Sequence, residues 1–506
     1  MSGSAEGLAG ALTAIGNGAA VRAGSRLLIT ACTFLTTALV VRALGAERYG
    51  ALAFSLSIVG LIAGLFAGLG TASTRSIASA VATGHRPEPV VRALAAVTVA
   101  VTGFGAMAIV ASIALSQRQL RSTDVWILSV AMSLLLLGRV AAVAGSSVAR
   151  GLGRVSLMEM PPTTEVVTKL LLVCAVLMLG ARQGLAPLAA VYAGAGVAAA
   201  AAGAWVVRRS VGSWTVVAPA ARAGLDLVRL TAPFVAGAVA YRLIHGFDVA
   251  VLGVVRPGAV VGAYAPTLAL VEGLVMLVPG LLSAMFLTAA TGLHEARDRR
   301  GFGDLYLAVS KLSVVLAMPA FTLLTIAPTE AMSVVYGARF PTSAAVVRLL
   351  LAGYFVTVAL GFNGQALIAS GAWSTLGKAL AWPAVAMVVS ALVSIPVWGA
   401  IGAAAATTVS FVVLNASLSI ALHARTGVHP VTRDRMLLLA SAPVAIVAAA
   451  LLSRVVGGGF WSAAVCSLVG WGVWLGLLGS IGALRIEEIR ALRPRRRLPT
   501  REAEPR

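Results

Sequence analysis

Runs of about twenty apolar residues, each closed by glycine, proline or charge, recur along the whole chain. A helix rises about 1.5 Å per residue, so one such run crosses the roughly 30 Å hydrocarbon core of a bilayer. The pattern predicts fourteen spans, over 26–45, 49–71, 90–115, 125–148, 160–180, 186–207, 229–255, 260–289, 305–328, 342–370, 376–397, 400–423, 435–455 and 459–484. Backbone polar groups in lipid must be satisfied within the segment, so each span is expected to be a helix. The expected fold is an all-α polytopic membrane protein. No connecting loop is long enough to build a soluble domain.

The polar breaks give a direction. With the N-terminus inside, most of the 39 basic residues fall on one side under strict alternation of the spans, as cytoplasmic loops require. Arg42, Arg48, Arg118, Arg121, Arg182, Arg256, Arg339 and Arg454 fall on the other. Both termini are therefore expected in the cytoplasm.

The spans echo one another. "RALGAERYGALAFSLSI" (Arg42–Ile58) and "GVVRPGAVVGAYAPTLAL" (Gly253–Leu270) each pair a helix end with a short turn and a Gly/Tyr opening, with Tyr49 and Tyr264 215 positions apart. Gly151 and Gly371, each at a helix exit near a basic residue, are 220 apart. Spans 1–6 and 7–12 then read as two six-helix bundles of like topology, with two extra C-terminal helices. The expected organisation is a cytoplasmic segment at 1–25, a first lobe at 26–207, a linker at 208–228, a second lobe at 229–423, helices 13 and 14 within 424–484, and a basic tail at 485–506. Paired repeats point to alternating access around a site between the halves.

Composition sharpens the picture. The chain is 59% hydrophobic and 11% charged, with a mean hydropathy of +0.95, against about 25% charged residues in soluble proteins. The net charge of +21 follows from the basic loops and tail, which rest on anionic headgroups rather than on nucleic acid. Nearly all the basic residues are arginine, which reads as a compositional bias of the source genome. Cys32, Cys174 and Cys466 lie far apart in apolar runs and form no metal or redox spacing. The first residues lack the basic start of a cleaved signal peptide.

Charges inside the spans are the candidate chemistry, because each is costly in lipid. Arg242, His245 and Asp248 in "YRLIHGFDVAVLGVV" would share one face of a straight helix within an arc of about 120°. Two readings stand: a structural bridge from Arg242 to Asp248 through His245, or a cavity wall in which Arg242 holds an anion and Asp248 or His245 titrates or binds a cation. Glu165 and Lys169, spaced i, i+4, are read as a mutually neutralising pair. Arg139 and Glu272 are alone in their spans and need partners, which the opposite half of the repeat would supply. Arg26 either snorkels to the interface or faces the cavity entrance. Asn363 and Gln365 add polar groups in span 10. The sequon at Asn415 lies inside a span and is chance.

Enzyme signatures are missing: there is no phosphate-binding Gly-rich loop, no second histidine after His294-Glu295, and no Gly-x-Ser-x-Gly elbow. No cofactor is expected, and energy would come from an ion gradient, the membrane potential or the cargo's own gradient.

Several segments together resemble the lipid-linked oligosaccharide flippases, the polysaccharide-export branch of the multidrug/oligosaccharidyl-lipid/polysaccharide exporter superfamily. They are "LGAERYGALAFSLSIVGLIAGLFAGLGTASTRSIA" (Leu44–Ala78), "ARGLGRVSLMEM" (Ala149–Met160), "FDVAVLGVVRPGAVVGAYAPTLAL" (Phe247–Leu270), "VYGARFPTSAAVVRLLLAGY" (Val335–Tyr354) and "NGQALIASG" (Asn363–Gly371). The resemblance implies a bacterial cytoplasmic-membrane flippase, not an enzyme, that moves a polyprenyl-(pyro)phosphate-linked oligosaccharide to the outer leaflet. It assigns a cationic cavity to Arg242 with Arg26 or Arg139. Candidate partners are the glycan lipid, membrane lipids, H+ or Na+ as coupling ion, and glycan polymerases or glycosyltransferases. Two alternatives remain open: a cation-coupled multidrug exporter of the same superfamily, and a membrane glycan polymerase or ligase.

Overall fold

A computed structural model describes residues 2–116, 122–180, 184–211, 235–338, 340–430 and 432–482, and all regular structure among them is helical. The first half contains α1 (Ser2–Ala82), α2 (Glu88–Ser116), α3 (Ser122–Gly151), α4 (Val155–Met158), α5 (Met160–Met178) and α6 (Leu185–Val211). A bent pair follows, α7 (Val235–Ile244) and α8 (Phe247–Val255). Next come α9 (Gly258–Val275), α10 (Leu277–Glu295), α11 (Arg299–Ile326) and α12 (Pro328–Tyr336). The remainder are α13 (Ala344–Leu360), α14 (Asn363–Ala369), α15 (Trp373–Ala379), α16 (Ala381–Trp398), α17 (Ala400–Thr426), α18 (Arg433–Val456) and α19 (Phe460–Ser480).

Among the described residues thirteen helices are long and apolar enough to cross a membrane, or fourteen with the bent pair. One of the thirteen, the 56-residue stretch Leu27–Ala82, would run about 84 Å at helical rise, too long for one crossing of a roughly 30 Å core. Gly45, at φ 70° and ψ 173°, divides it into two arms, where only glycine tolerates the backbone easily. The expected span at 260–289 is likewise two segments, α9 and α10, meeting at Met276. Most of the expected linker at 208–228, and all of the basic tail at 485–506, lie outside the described residues.

Small residues set the tightest contacts. Gly138 and Gly145 on α3 face Gly196 and Gly203 on α6 with backbone against backbone, so any side chain there would collide. This is the small-residue packing that lipid, with no hydrophobic drive between helices, favours. Helices α1 and α9 touch in the same way near Gly45 and Pro257. There Gly50 abuts Gly258 and Gly262 abuts Ala46. The two contacts exchange under a shift of 212 positions, which pairs Gly50 with Gly262 and Ala46 with Gly258. The shift lies close to the 215 positions between Tyr49 and Tyr264.

Two basic residues assigned outside the cytoplasm serve this end of the molecule as helix caps. Arg42 donates through Nε to the carbonyl of Val335 at 2.8 Å, and to Val334, at the end of α12. Arg256 donates to Pro396 at 2.6 Å, at the end of α16. Cations there meet the negative ends of helix dipoles. The last two helices pack on α11 and on each other: Trp471 Nε1 donates to Val315 O at 2.8 Å and Trp474 Nε1 to Ser441 Oγ at 2.9 Å.

Candidate functional site

A cavity of about 310 Å³ lies where the two arms of α1 meet α3, α5, α6, the α7–α8 break and α9. Arg139, Lys169 and Arg242 line it, together with His245, Tyr49 and Tyr192. Each cation is held by a different device. Gly138 lets α3 close on α6, which sets Arg139, its neighbour in sequence, at the cavity. Arg139 Nε then lies 3.3 Å from Glu165 Oε1. On α5, one turn beyond Glu165, Lys169 Nζ reaches the same oxygen at 2.9 Å and stands 5.3 Å from the centroid of the Tyr192 ring, a cation–π contact. Arg242 rests its alkyl stem in the notch left by Gly64 on the second arm of α1, where any Cβ would overlap it.

The lone intramembrane charges thus do not pair as expected. Arg139 pairs with Glu165 on α5 rather than with Glu272. Glu165 and Lys169 do bond, but the carboxylate is shared, so the group keeps an excess positive charge. Glu272 on α9 is exposed, lies outside the set of cavity-lining residues and takes part in none of the described ion pairs.

The expected common face of Arg242, His245 and Asp248 does not form. The helix breaks after Ile244 and the pair bends by 56°, at Gly246, a residue of poor helix propensity. Arg242 and His245 stay with the cavity, His245 packing between Tyr241 and Phe411 at centroid distances of 4.4 and 5.3 Å. Asp248 turns into the second half. Its Oδ2 accepts from Tyr264 OH at 2.6 Å and Thr407 Oγ1 at 2.9 Å. No Arg242–Asp248 bridge occurs among the described ion pairs.

Asn363 is also away from the cavity. It is fully buried, accepts from Tyr306 OH and donates to Ser419 Oγ at 2.9 Å, tying α11, α14 and α17 together. Gln365 is half-buried on α14 and does not line the cavity. Arg26 lies in the helical backbone of α1, and its side chain is outside the described residues. Lys169, Tyr49 and Tyr192 are lining residues that the sequence reading did not assign. No group of three or more metal-ligating side chains exists among the described residues.

A family model described as polysaccharide biosynthesis protein matches residues 15–291, more than half of the chain. The chain belongs to the polysaccharide biosynthesis protein family. No curated protein matches it. Among solved structures, this family member is similar to a lipid II flippase MurJ described in an inward closed conformation, at TM-score 0.69 and 13% identity, covering 90% of this chain and 98% of that one. An inward-facing multidrug resistance MATE family transporter of the MOP superfamily gives TM-score 0.62 and 14% identity, covering 80% and 98%. A MOP superfamily transporter from Pyrococcus furiosus, described as having a binding pocket of reverse polarity, gives TM-score 0.53 and 13% identity, covering 81% and 95%. At these identities the likeness establishes the fold. The family member is an all-helical multi-pass membrane protein of the fold that MurJ and MATE transporters share.

Proposed function

We propose that this protein carries a polyprenyl-pyrophosphate-linked oligosaccharide from the cytoplasmic to the outer leaflet of a bacterial cytoplasmic membrane by alternating access, for cell-surface polysaccharide biosynthesis. The observation that carries the reading is the charge of the cavity. Three cations line it, and one carboxylate, Glu165, is bonded to two of them. The surplus of two positive charges matches a pyrophosphate diester, in which each phosphate carries a single charge. Two arginines supply planar donor forks suited to phosphate oxygens. The polyprenyl tail stays in lipid while the headgroup, which cannot cross hydrocarbon unaided, passes through the protein.

Arg139, Lys169 and Arg242 hold the diphosphate in this reading. The packing of Gly50 on Gly258 and Gly262 on Ala46 closes one end of the molecule between the halves, with the termini on the cytoplasmic side. Asp248, set among the hydroxyl donors Tyr264 and Thr407, and Glu272 on α9 are the carboxyls through which H+ or Na+ would couple. The drug-exporter alternative needs a cavity that attracts cations, and the surplus positive charge repels them. The test is binding of two amphiphiles to the protein in nanodiscs, a polyprenyl pyrophosphate glycan and a lipophilic cationic dye. Binding of the glycan lipid, weakened in Arg242→Ala, supports the reading; binding of the dye alone overturns it.

A further inference from the structure

The cavity is chemically divided. Its cations come from α3, α5 and α7, whereas the two arms of α1 present hydroxyls: Thr33, Thr36 and Thr37 from the first arm, Tyr49 and Ser57 from the second. Tyr192 on α6 adds another phenol. Two of these hydroxyls differ from phosphate ligands in one respect, whereas Thr36 Oγ1 is buried with no partner and can both donate and accept. Ser57 Oγ already donates to Phe54 O at 2.7 Å, and Thr37 Oγ1 to Thr33 O at 2.9 Å. A hydroxyl has one proton to donate and two lone pairs, so these two side chains offer the cavity only acceptors. An ionised phosphate diester has no proton to give them. A group that meets these two side chains must carry O–H or N–H donors of its own.

A second, independent observation comes from the tyrosines. Tyr49 and Tyr192 are 6% and 4% exposed, both line the cavity, and neither phenol bonds to any described residue. Neither hydroxyl is among the fully buried unpaired atoms, so both open onto the cavity and are free to meet a ligand that accepts and donates. Small residues, Ala53 and Gly60 on α1 and Gly246 and Ala265 opposite, leave room beside them.

The geometry points to a sugar subsite on α1, in which Ser57 and Thr37 accept from the hydroxyls of the sugar next to the pyrophosphate and Tyr49 and Tyr192 bridge its ring oxygens and hydroxyls. This subsite rests on the proposed cargo and adds to it a specificity for what the diphosphate carries. The cations for the phosphates stand on one side, and the hydroxyls for the sugar on the other. A lipid diphosphate with no sugar would satisfy the cations and leave the α1 wall bare.

The experiment is equilibrium binding to the full-length protein in nanodiscs of two probes, a polyprenyl pyrophosphate and the same lipid bearing one hexose. The variants are Tyr49→Phe, Tyr192→Phe, and Thr37→Val combined with Ser57→Ala, each close in shape to the original residue; Arg242→Ala serves as the reference. Each lost neutral hydrogen bond is expected to weaken the hexose-bearing lipid about threefold to tenfold and to leave the sugar-free lipid unchanged. Unchanged binding of the sugar-free probe shows that the variant is folded. Equal losses for both probes would place the phenols on the phosphates and overturn the subsite, as would no loss for either. If Arg242→Ala binds both probes like the wild type, or if the wild type binds neither, the cargo reading itself fails and the subsite falls with it.

Discussion

The shared carboxylate of Glu165 makes the sharpest prediction. Its Oε1 lies 2.9 Å from Lys169 Nζ and 3.3 Å from Arg139 Nε, and the residue is 7% exposed. At an effective dielectric near 20 each contact has a gross Coulomb energy of about 5–6 kcal/mol. Desolvation of the three groups offsets most of it, yet removing one member of a buried ionic cluster costs about 3–5 kcal/mol, because the partners stay buried and uncompensated. Glu165→Gln therefore lowers the thermal midpoint sharply, whereas Lys169→Met costs less, since Arg139 still meets the carboxylate. The double variant Glu165→Gln/Lys169→Met removes one charge of each sign, leaves a single cation, and recovers part of the loss. The coupling is expected to exceed about 1 kcal/mol, as for residues in one network. The assay is thermal unfolding of the purified protein and the three variants under one detergent condition. Additive losses would refute the argument that the three charges act as one unit.

Four other outcomes follow from the same geometry. Gly64→Val displaces the Arg242 stem and abolishes cargo binding while the protein stays folded, which size-exclusion profile and binding measured together would check. Asp248→Leu strands the hydroxyls of Tyr264 and Thr407 and lowers the melting temperature, at about 1–3 kcal/mol for unpaired buried polar groups, whereas Asp248→Asn, keeping an acceptor, loses less; equal melting of the two would contradict the hydrogen-bond account. Asn363→Leu destabilises the protein through Tyr306 and Ser419 without changing cargo affinity, read by melting and binding on one sample. Gly262→Leu cannot fit against Ala46 and opens the end of the molecule near the Gly45 turn, so a cysteine placed at Glu47 should react faster with a polar maleimide than it does beside Gly262.

The spans were legible because lipid imposes a length and an apolar run on each, and the helix ends fall where glycine and charge interrupt them. Arg139 and Arg242 were legible as interior-facing candidates for a related reason, since a charge within an apolar run is costly in lipid. What the sequence hid was tertiary. Lys169 looked neutralised by its i, i+4 acid, and only the approach of Arg139 from α3 shows the carboxylate to be shared. Asp248 looked like a neighbour of Arg242 on a straight helix, but the break at Gly246 turns it toward Tyr264 and Thr407, the latter 159 positions away. Asn363 carries no local mark of its bonds to Tyr306 and Ser419, at separations of 57 and 56 residues. Tyr49 stood out only as a landmark of the repeat, and nothing in its own segment places it beside Tyr192.

Transport is the central claim, and a flipping assay tests it most directly. Purified protein is reconstituted into liposomes with a fluorescent polyprenyl pyrophosphate glycan, and arrival of the headgroup on the opposite leaflet is read by loss of fluorescence to a membrane-impermeant quencher. The account predicts movement with the wild type, none with Arg242→Ala, and reduced movement with Arg139→Gln, all three proteins being folded. Wild-type rates from Arg242→Ala, or movement of a cationic dye in place of the glycan lipid, would contradict it.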